Sequence, residues 1–361
     1  MQSNLTIGGL AMRRLICTLL CAMLLCSTAV AEKTVQMTFT GDVTLGSEES
    51  KKDQSTSFVS VAAEQGYEYF FAKVKSLFEQ DDLTVVNLEG PLTDKSTQEN
   101  KKKYYRFRGP TEFVNILLNG SVEACNLANN HTYDFGTQGY ESTQATLDAA
   151  GIGYFGQKTT YVYEKDGIKI AFFGLNSTQF NGNRKWAKAE IARMKEEDGV
   201  NAVVFVFHGG QEYGKKHNQN QETYAHFAID AGADLVIMHH PHVVQGIEIY
   251  NDRTICYSLG NFCFGGNKDV RALETMVAGV TMTFSDEGEY LGQQLKLYPA
   301  NISGTNPSNN FQPVFVTGEA AQDVLKLVQK DTKFTLPEFS EETGCVTLDY
   351  LPATASDLAA E

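Results

Sequence analysis

Long apolar runs are scarce in this sequence. The stretch LICTLLCAMLL, Leu15–Leu25, stops at 11 residues, short of the roughly 20 that a membrane-spanning helix needs. It follows Arg13 and Arg14 and leads into STAVA, with small residues at Ala29 and Ala31. A basic flank, a short apolar centre and small terminal residues predict a secretory signal peptide over residues 1–31, cut near Ala31. Met12 is an alternative start. Lipoprotein anchoring through Cys26 fits less well, because Leu25 stands where a small residue is expected. The expected location is extracytoplasmic: secreted, periplasmic or at the cell surface.

Positive charge is also in short supply. Lys and Arg number 30 against 44 Asp and Glu, a net charge of −14 that becomes −16 without Arg13 and Arg14. That balance argues against nucleic acid and anionic membranes as partners. A phosphate substrate stays open, because bound metal ions reverse the local field. Of seven cysteines, only Cys125, Cys256, Cys263 and Cys345 lie beyond residue 31. Outside the cytosol one or two disulfides are open to them, with Cys256 and Cys263 closest in sequence. The apolar runs around Cys125 and Cys256 favour four small buried hydrophobes instead. Internal repeats, coiled-coil heptads and low-complexity linkers are missing, and Trp186 is the only tryptophan.

What remains is an alternation of short apolar strands and helical patterns, which predicts an α/β fold. Strands are expected at VQMTFTGD, DLTVVNLEGP and SVEACNLANNH, with an amphipathic helix over YEYFFAKVKSLFEQ. Helices are expected at Thr111–Leu118 and at GYESTQATLDAAG, closed by Gly151. A hairpin is expected at Asp166-Gly167. Strands VNAVVFVFHGG and ADLVIMHHPHVVQG then flank a helix over Gln221–Ala231, and more hairpins turn at Asn251-Asp252 and at Asp286–Gly288. Beyond Pro307 there is one helix, EAAQDVLKLVQKD, and a polar tail. The lysine-rich NKKKYYRFRGP interrupts the acidic background; it reads as a solvated face or as a contact for an anionic substrate.

Each apolar run ends on residues that bind metal or move protons: Asp42, Glu89, Asn130-His131, His208 and the cluster His239-His240-Pro241-His242. One such residue is commonly a turn or core group, but ligands of open α/β sheets gather at carboxyl ends of strands. All seven histidines lie between 131 and 242. Carboxylate, amide and imidazole without thiolate suit divalent Mn, Zn or Fe, in one or two ions. Two ions would activate water and polarise a phosphoryl or carbonyl oxygen, with a histidine outside the ligand set protonating the leaving group. Asp134, three residues after His131, is placed to orient its ring. His217 and His226 read as surface or packing residues. Gln245 and Asn261 read equally as pocket or backbone-satisfying groups, as Asn126 and Asn129 read as turn groups.

TFTGDVTLG, VVNLEGPLT, ANNHTYDFG, FHGGQEY, DAGADLVIMHHPHVVQGIE and YSLGNFCF occur in this order, from about Val35 to Phe264. The series resembles the bacterial CapA family of capsule-synthesis, poly-γ-glutamate biosynthesis proteins, a variant of the calcineurin-like metallophosphoesterases. The resemblance implies an α/β/β/α sandwich of two mixed sheets flanked by helices, at 32–305, followed by an extension at 306–361. It implies metal ligands at Asp42, Glu89, Asn130, His208, His240 and His242, with His131 as acid and Asp134 and Glu212 as catalytic or supporting groups. Glu89 stands where phosphoesterases have a bridging aspartate. Only one of His239 and His240 is expected to face the metals, and the H-x-H spacing favours His240. Thr44 stands where a phosphoesterase has a second histidine, Met238 where the family has glycine, and Gly209 where an aromatic is common. The implied role is a phosphoesterase-type hydrolase acting on a capsule polymer or phosphoester. The alternatives are a metal- or polymer-binding subunit of a membrane-bound synthase or exporter without turnover, and a secreted phosphatase unrelated to capsule.

Overall fold

The computed structural model describes residues 32–352. The expected signal peptide, the Cys26 anchor and the end of the tail lie outside the described residues. The first third of the chain supplies strands Lys33–Thr44 (β1), Ser47–Glu48 (β2), Leu83–Leu88 (β3), Phe107–Arg108 (β4), Ala124–Asn126 (β5) and Gly153–Phe155 (β6). The middle supplies Tyr161–Lys165 (β7), Ile168–Asn176 (β8), Ala202–His208 (β9), Leu235–His239 (β10), Ile247–Tyr250 (β11) and Arg253–Cys256 (β12). Asn261–Phe264 (β13), Glu274–Phe284 (β14), Tyr290–Asn301 (β15), Val314–Phe315 (β16) and Val346–Pro352 (β17) follow.

All but two of these strands form two mixed sheets, while β2 and β4 pair as a separate two-stranded one. The larger runs β16-β15-β14-β1-β3-β5-β6, with β13 also on β1 and β17 on β15; the smaller runs β11-β12-β10-β9-β8-β7. The chain thus begins the large sheet, builds the small one, and returns to finish the large one. The pairing of β1, β3, β5 and β6 is parallel, as is that of β8, β9 and β10. Each set therefore delivers its carboxyl ends to one edge.

Alternation decides the layers. In β1, Val35, Met37 and Phe39 join Ile170, Phe172, Val204, Val206 and Ile237 of the small sheet in one buried cluster between the sheets. The opposite face of the large sheet packs Val86, Leu88 and Cys125 on Phe58, Phe71, Phe78 and Leu147. The outer face of the small sheet packs Phe173, Val203 and Phe205 on Phe180, Ile191 and Ala228 of the helices Ser177–Glu196 and Gln219–Asp230. The result is the α/β/β/α sandwich. Each fully buried Phe or Leu in these layers contributes about 1.5–3 kcal/mol of transfer free energy.

Three local expectations need correction. The segment 67–80 is not one helix but a 3-10 turn at Tyr67–Tyr69 and a short helix at Lys75–Phe78. Phe70, Val74 and Phe78 are buried as expected, and the Tyr69 carbonyl accepts from Gln312 Nε2 at 2.6 Å as well as from Ala72 N at 3.4 Å. Residues 346–352, read as polar tail, pair antiparallel with β15 as β17. The 20-residue helix Ser177–Glu196 has no counterpart among the expected elements. Its capping box at Asn176 and Gln179 is sound, but its buried stripe is thin and Gly182 lies inside it. The four cysteines are free and buried.

Candidate metal centre

Strand register assembles the site. Across the large sheet Asp42 pairs with Asn87 and with Asn261, and Asn87 pairs with Asn126. Across the small sheet Asn176 pairs with His208, and His208 with His239. One row is carboxylate and amide; the other is chiefly imidazole. The register of β1 on β3 slips between Phe39 and Asp42, a bulge that re-aims the side chain after it. Gly41 permits the close approach of β13: a Cβ there would sit 2.2 Å from the Gly260 carbonyl oxygen, the atom that accepts from Asp42 N.

Asp42 is fully buried. Its Oδ1 accepts from Asn87 Nδ2 at 2.7 Å and lies 3.4 Å from His239 Nδ1. Its Oδ2 is 3.0 Å from His242 Nδ1, which also meets Asn261 Oδ1 at 2.9 Å. Asn87 in turn accepts from Asn126 Nδ2 at 2.8 Å, and Asn126 Oδ1 accepts from Ala128 N. Three side chains thus carry a hydrogen-bond chain beneath the centre. Gly174 leaves it room, since a Cβ there would lie 2.4 Å from Asn126 Oδ1.

Glu89 is equally buried, yet neither carboxylate oxygen has a hydrogen-bond partner among the described residues. Its Oε1 lies 3.7 Å from His131 Nε2 and 3.8 Å from His208 Nε2. Burial, reinforced by the Asp42 charge, pushes the Glu89 carboxyl up to about 8. Burial also opposes the charge on Asp42, but His239 and His242 outweigh it and hold that carboxyl well below its usual value. His242 is pushed up to about 9, because Glu89 and Asp42 overcome the cost of burying its charge. Two carboxylates forced together cannot both ionise cheaply without a cation. Bare, buried acid oxygens are expensive, and a divalent ion is the partner that suits them. Ligand atoms of Asp42, Glu89 and His242 lie within 4.8 Å of one another, so these residues fit such an ion.

The other expected groups converge here. His208 Nε2 is 2.7 Å from Asn130 Oδ1 and 3.1 Å from His240 Nδ1; burial and then His240 hold its pKa well below the usual value. His131 Nδ1 is 2.6 Å from Asp134 Oδ2, which leaves Nε2 as the nitrogen toward Glu89. Burial lowers its pKa. Asp134 is held by Phe107 N at 2.8 Å and by Lys103 Nζ. Lys103 also donates to the Asn130 carbonyl at 2.9 Å and lies 3.2 Å from His131 Nδ1.

The histidine cluster departs from expectation, because His239 and His240 both face the site. Strand β10 ends at His239, and His240 turns to φ 100°, so the alternation of a strand no longer separates neighbours. His242 at φ 59° and Tyr213 at φ 58° are likewise left-handed. Such conformations cost about 1–3 kcal/mol each and cluster where geometry serves function. Glu212 is exposed, and its carboxylate lies within 4.8 Å of ligand atoms of His240 and His242.

The structure therefore gathers all nine expected site residues around one centre. Sequence reasoning does not single out Asn87 or Lys103, and it ranks His239 behind His240 where the structure brings in both. An amide inside the apolar run TVVNL was the available signal for Asn87. Lys103 and Asn261 come from loops or returning strands that spacing does not connect to the site. His217 stacks on Tyr257 at 3.8 Å and bonds Asp331 and Glu222, while His226 stacks on Tyr250; both are packing residues. Gln245 accepts from Gln221 and donates to the Gly214 carbonyl, fastening the loop that carries Glu212.

The family described as "Bacterial capsule synthesis protein PGA_cap" matches residues 36–266. "PGA biosynthesis protein CapA" of Bacillus subtilis (strain 168) is 31% identical over 340 residues, 88% of this chain and 83% of that one. "Capsule biosynthesis protein CapA" of Bacillus anthracis is 30% identical over 252 residues, 63% of this chain and 59% of that one. A crystal structure of a hypothetical protein from Thermus thermophilus aligns with TM-score 0.44 and 13% identity over 73% of this chain and 99% of that one.

Proposed function

This chain belongs to the bacterial capsule synthesis protein family, and from that premise we propose that it is a metal-dependent hydrolase of capsule or poly-γ-glutamate biogenesis, acting outside the cytoplasm. The observation that carries the catalytic part is Glu89, with two buried, unpartnered oxygens beside Asp42 and His242. Asp42, Glu89 and His242 would hold a divalent cation, with Asn130, His208, His239 and His240 placed around them. Such an ion supplies Lewis-acid charge and lowers the pKa of a bound water.

The chain's own residues supply the rest. Asp134 accepts the Nδ1 proton of His131 and fixes the ring, so Nε2 is the nitrogen free to exchange protons near Glu89. A neutral, buried imidazole takes a proton there and returns it to a leaving oxygen or nitrogen. Asn87 and Asn126 keep Asp42 in place and Lys103 offsets the charge of Asp134. Location outside the cytoplasm rests on the Arg13-Arg14, apolar and STAVA pattern.

A groove of about 490 Å³ beside this centre is lined by Lys101, Lys102, Lys103, Tyr104, Tyr105 and Arg106, among others. It favours an anionic polymer as the bound species, and it is also what a binding subunit without turnover would need. The test is hydrolysis of phosphoesters and γ-glutamyl chains by the purified protein, wild type and His131→Ala, with manganese or zinc added. Turnover lost in the variant supports the hydrolase. Tight metal and polymer binding with no turnover on either substrate class leaves the assembly role.

A further inference from the structure

His217 does not touch the metal centre, but the group that holds it, Asp331, comes from far along the chain. Asp331 lies beyond residues 36–266, the part that the capsule-synthesis family covers, just after the helix Gly318–Gln329. Leu325 and Val328 of that helix are buried in the cluster between the sheets. Its last turn is tied down as well. Asp331 N donates to the Val328 carbonyl at 3.1 Å, and Thr332 Oγ1 donates to the same carbonyl at 2.9 Å.

The buried Asp331 carboxylate serves two segments at once. Its Oδ2 accepts from His217 N, from His217 Nδ1 and from Gly246 N, each at 2.9 Å. His217 closes the loop that carries Glu212, and Gly246 follows His242 by four residues. Beside them Thr332 Oγ1 accepts from Ile247 N at 3.0 Å. The approach requires glycine: a Cβ on Gly246 would lie 2.0 Å from the Asp331 carbonyl oxygen. The other His217 nitrogen, Nε2, is 3.1 Å from Glu222 Oε1, and the ring stacks on Tyr257. Burial opposes a charge on His217, but Asp331 and then Glu222 outweigh it and raise its pKa. Charge-assisted bonds of this kind are about twice as strong as neutral ones. Nearer the centre the same two segments touch directly, through Gln245 Nε2 to the Gly214 carbonyl and Tyr213 N to the Pro241 carbonyl, both at 2.7 Å.

We propose that Asp331 is a positioning residue for the metal centre, fastening the loop of Glu212 and the turn of His242 to each other from the C-terminal extension. This rests on the metal-centre reading above and gives the extension a task, a clamp on the small-sheet side of the site. Asp331 reaches neither ion nor substrate. Its effect passes through the placement of His242 and Glu212.

Isothermal titration of the metal-free full chain with Mn²⁺ tests it on wild type, Asp331→Asn and Leu325→Ala, with a melting curve and amide exchange for each. Asp331→Asn keeps the size of the side chain and removes its charge. It should weaken Mn²⁺ binding about tenfold, the low end for groups that orient ligands from behind, and speed exchange over residues 211–218 and 242–247. Leu325→Ala thins the packing of the extension without touching the clamp, so it should lower the melting temperature and leave Mn²⁺ affinity at the wild-type value. His217→Gln strikes the same clamp from the other side and should weaken Mn²⁺ likewise, which keeps the test decisive if Asp331→Asn fails to fold. Equal affinity in wild type and the clamp variants, or an equal loss in Leu325→Ala, overturns the positioning role and leaves the centre standing. No Mn²⁺ binding by wild type overturns the metal-centre reading itself, and this role with it.

Discussion

The two sheets bring unlike halves to the same edge. The large sheet contributes Asp42 and Glu89, both fully enclosed, with Asn87, Asn126 and Asn261 fixed in register beside Asp42. The small sheet contributes His208 and His239 at paired strand ends, and then a strained turn with His240 and His242. The first half carries Glu89, whose two oxygens have no hydrogen-bond partner among the described residues. The other half leads outward, through His240 to Glu212. On the proposed reading, the large sheet supplies the acid ligands of a cation and the small-sheet side supplies imidazoles, His242 among them.

The largest effect should come from Asp42→Asn. It removes the negative charge that faces His239 and His242, so breaking this buried pairing should cost about 3–5 kcal/mol as well as the tight metal. Denaturant unfolding and metal analysis check both. His131→Ala should leave metal content intact and lower turnover about 10²–10⁴-fold, which separates proton transfer from ion binding. Asp134→Asn and Lys103→Ala reach the ion only through His131 and Asn130, and each should cost about 10–100-fold. A loss in either as large as that of His131→Ala would mean that the loop, not the imidazole, is the sensitive part.

A smaller effect runs in the opposite direction. The Glu89 carboxyl is raised in the fold to about 8, above its ordinary value of 4.5. The metal-free folded protein therefore binds more protons than the unfolded chain between these values, and its stability falls as pH rises from about 4.5 to 8. His242, raised to about 9, adds stability below its ordinary 6.5 that is lost as pH climbs through 9. Glu89→Gln should flatten the lower part of this decline and raise the metal-free melting temperature near pH 8, while abolishing stabilisation by added metal. Thermal melts at pH 5, 7 and 8, with and without chelator, read this directly.

The contrast also explains what the sequence disclosed. Asp42, Glu89, Asn130, His131 and His208 end or follow apolar runs, and the physics of strand ends exposes them to inspection. The strand and hairpin turns were equally legible: Asn251 and Asp252 both take positive φ. Asn87 was hidden because its partner, Asp42, lies on another strand, and register between strands is not written locally. Asn126 ends β5 and accepts from Ala128 N as a turn group does, but its amide also reaches Asn87. Lys103 lies 28 residues before His131 in a loop whose path depends on Phe107 meeting Asp134. The H-x-H spacing points to His240 over His239, but the left-handed backbone at His240 lets both rings face the site.

The central claim is that the unpartnered Glu89 oxygens, beside the His242-paired Asp42, serve to hold a divalent ion. Its most direct measurement is metal analysis with a melting curve, on wild type and Glu89→Gln purified in the same buffer with Mn²⁺ or Zn²⁺. At least one tight equivalent and a metal-dependent rise in melting temperature are predicted for wild type, and neither for the variant. Equal metal content and equal melting shifts in the two proteins would contradict it.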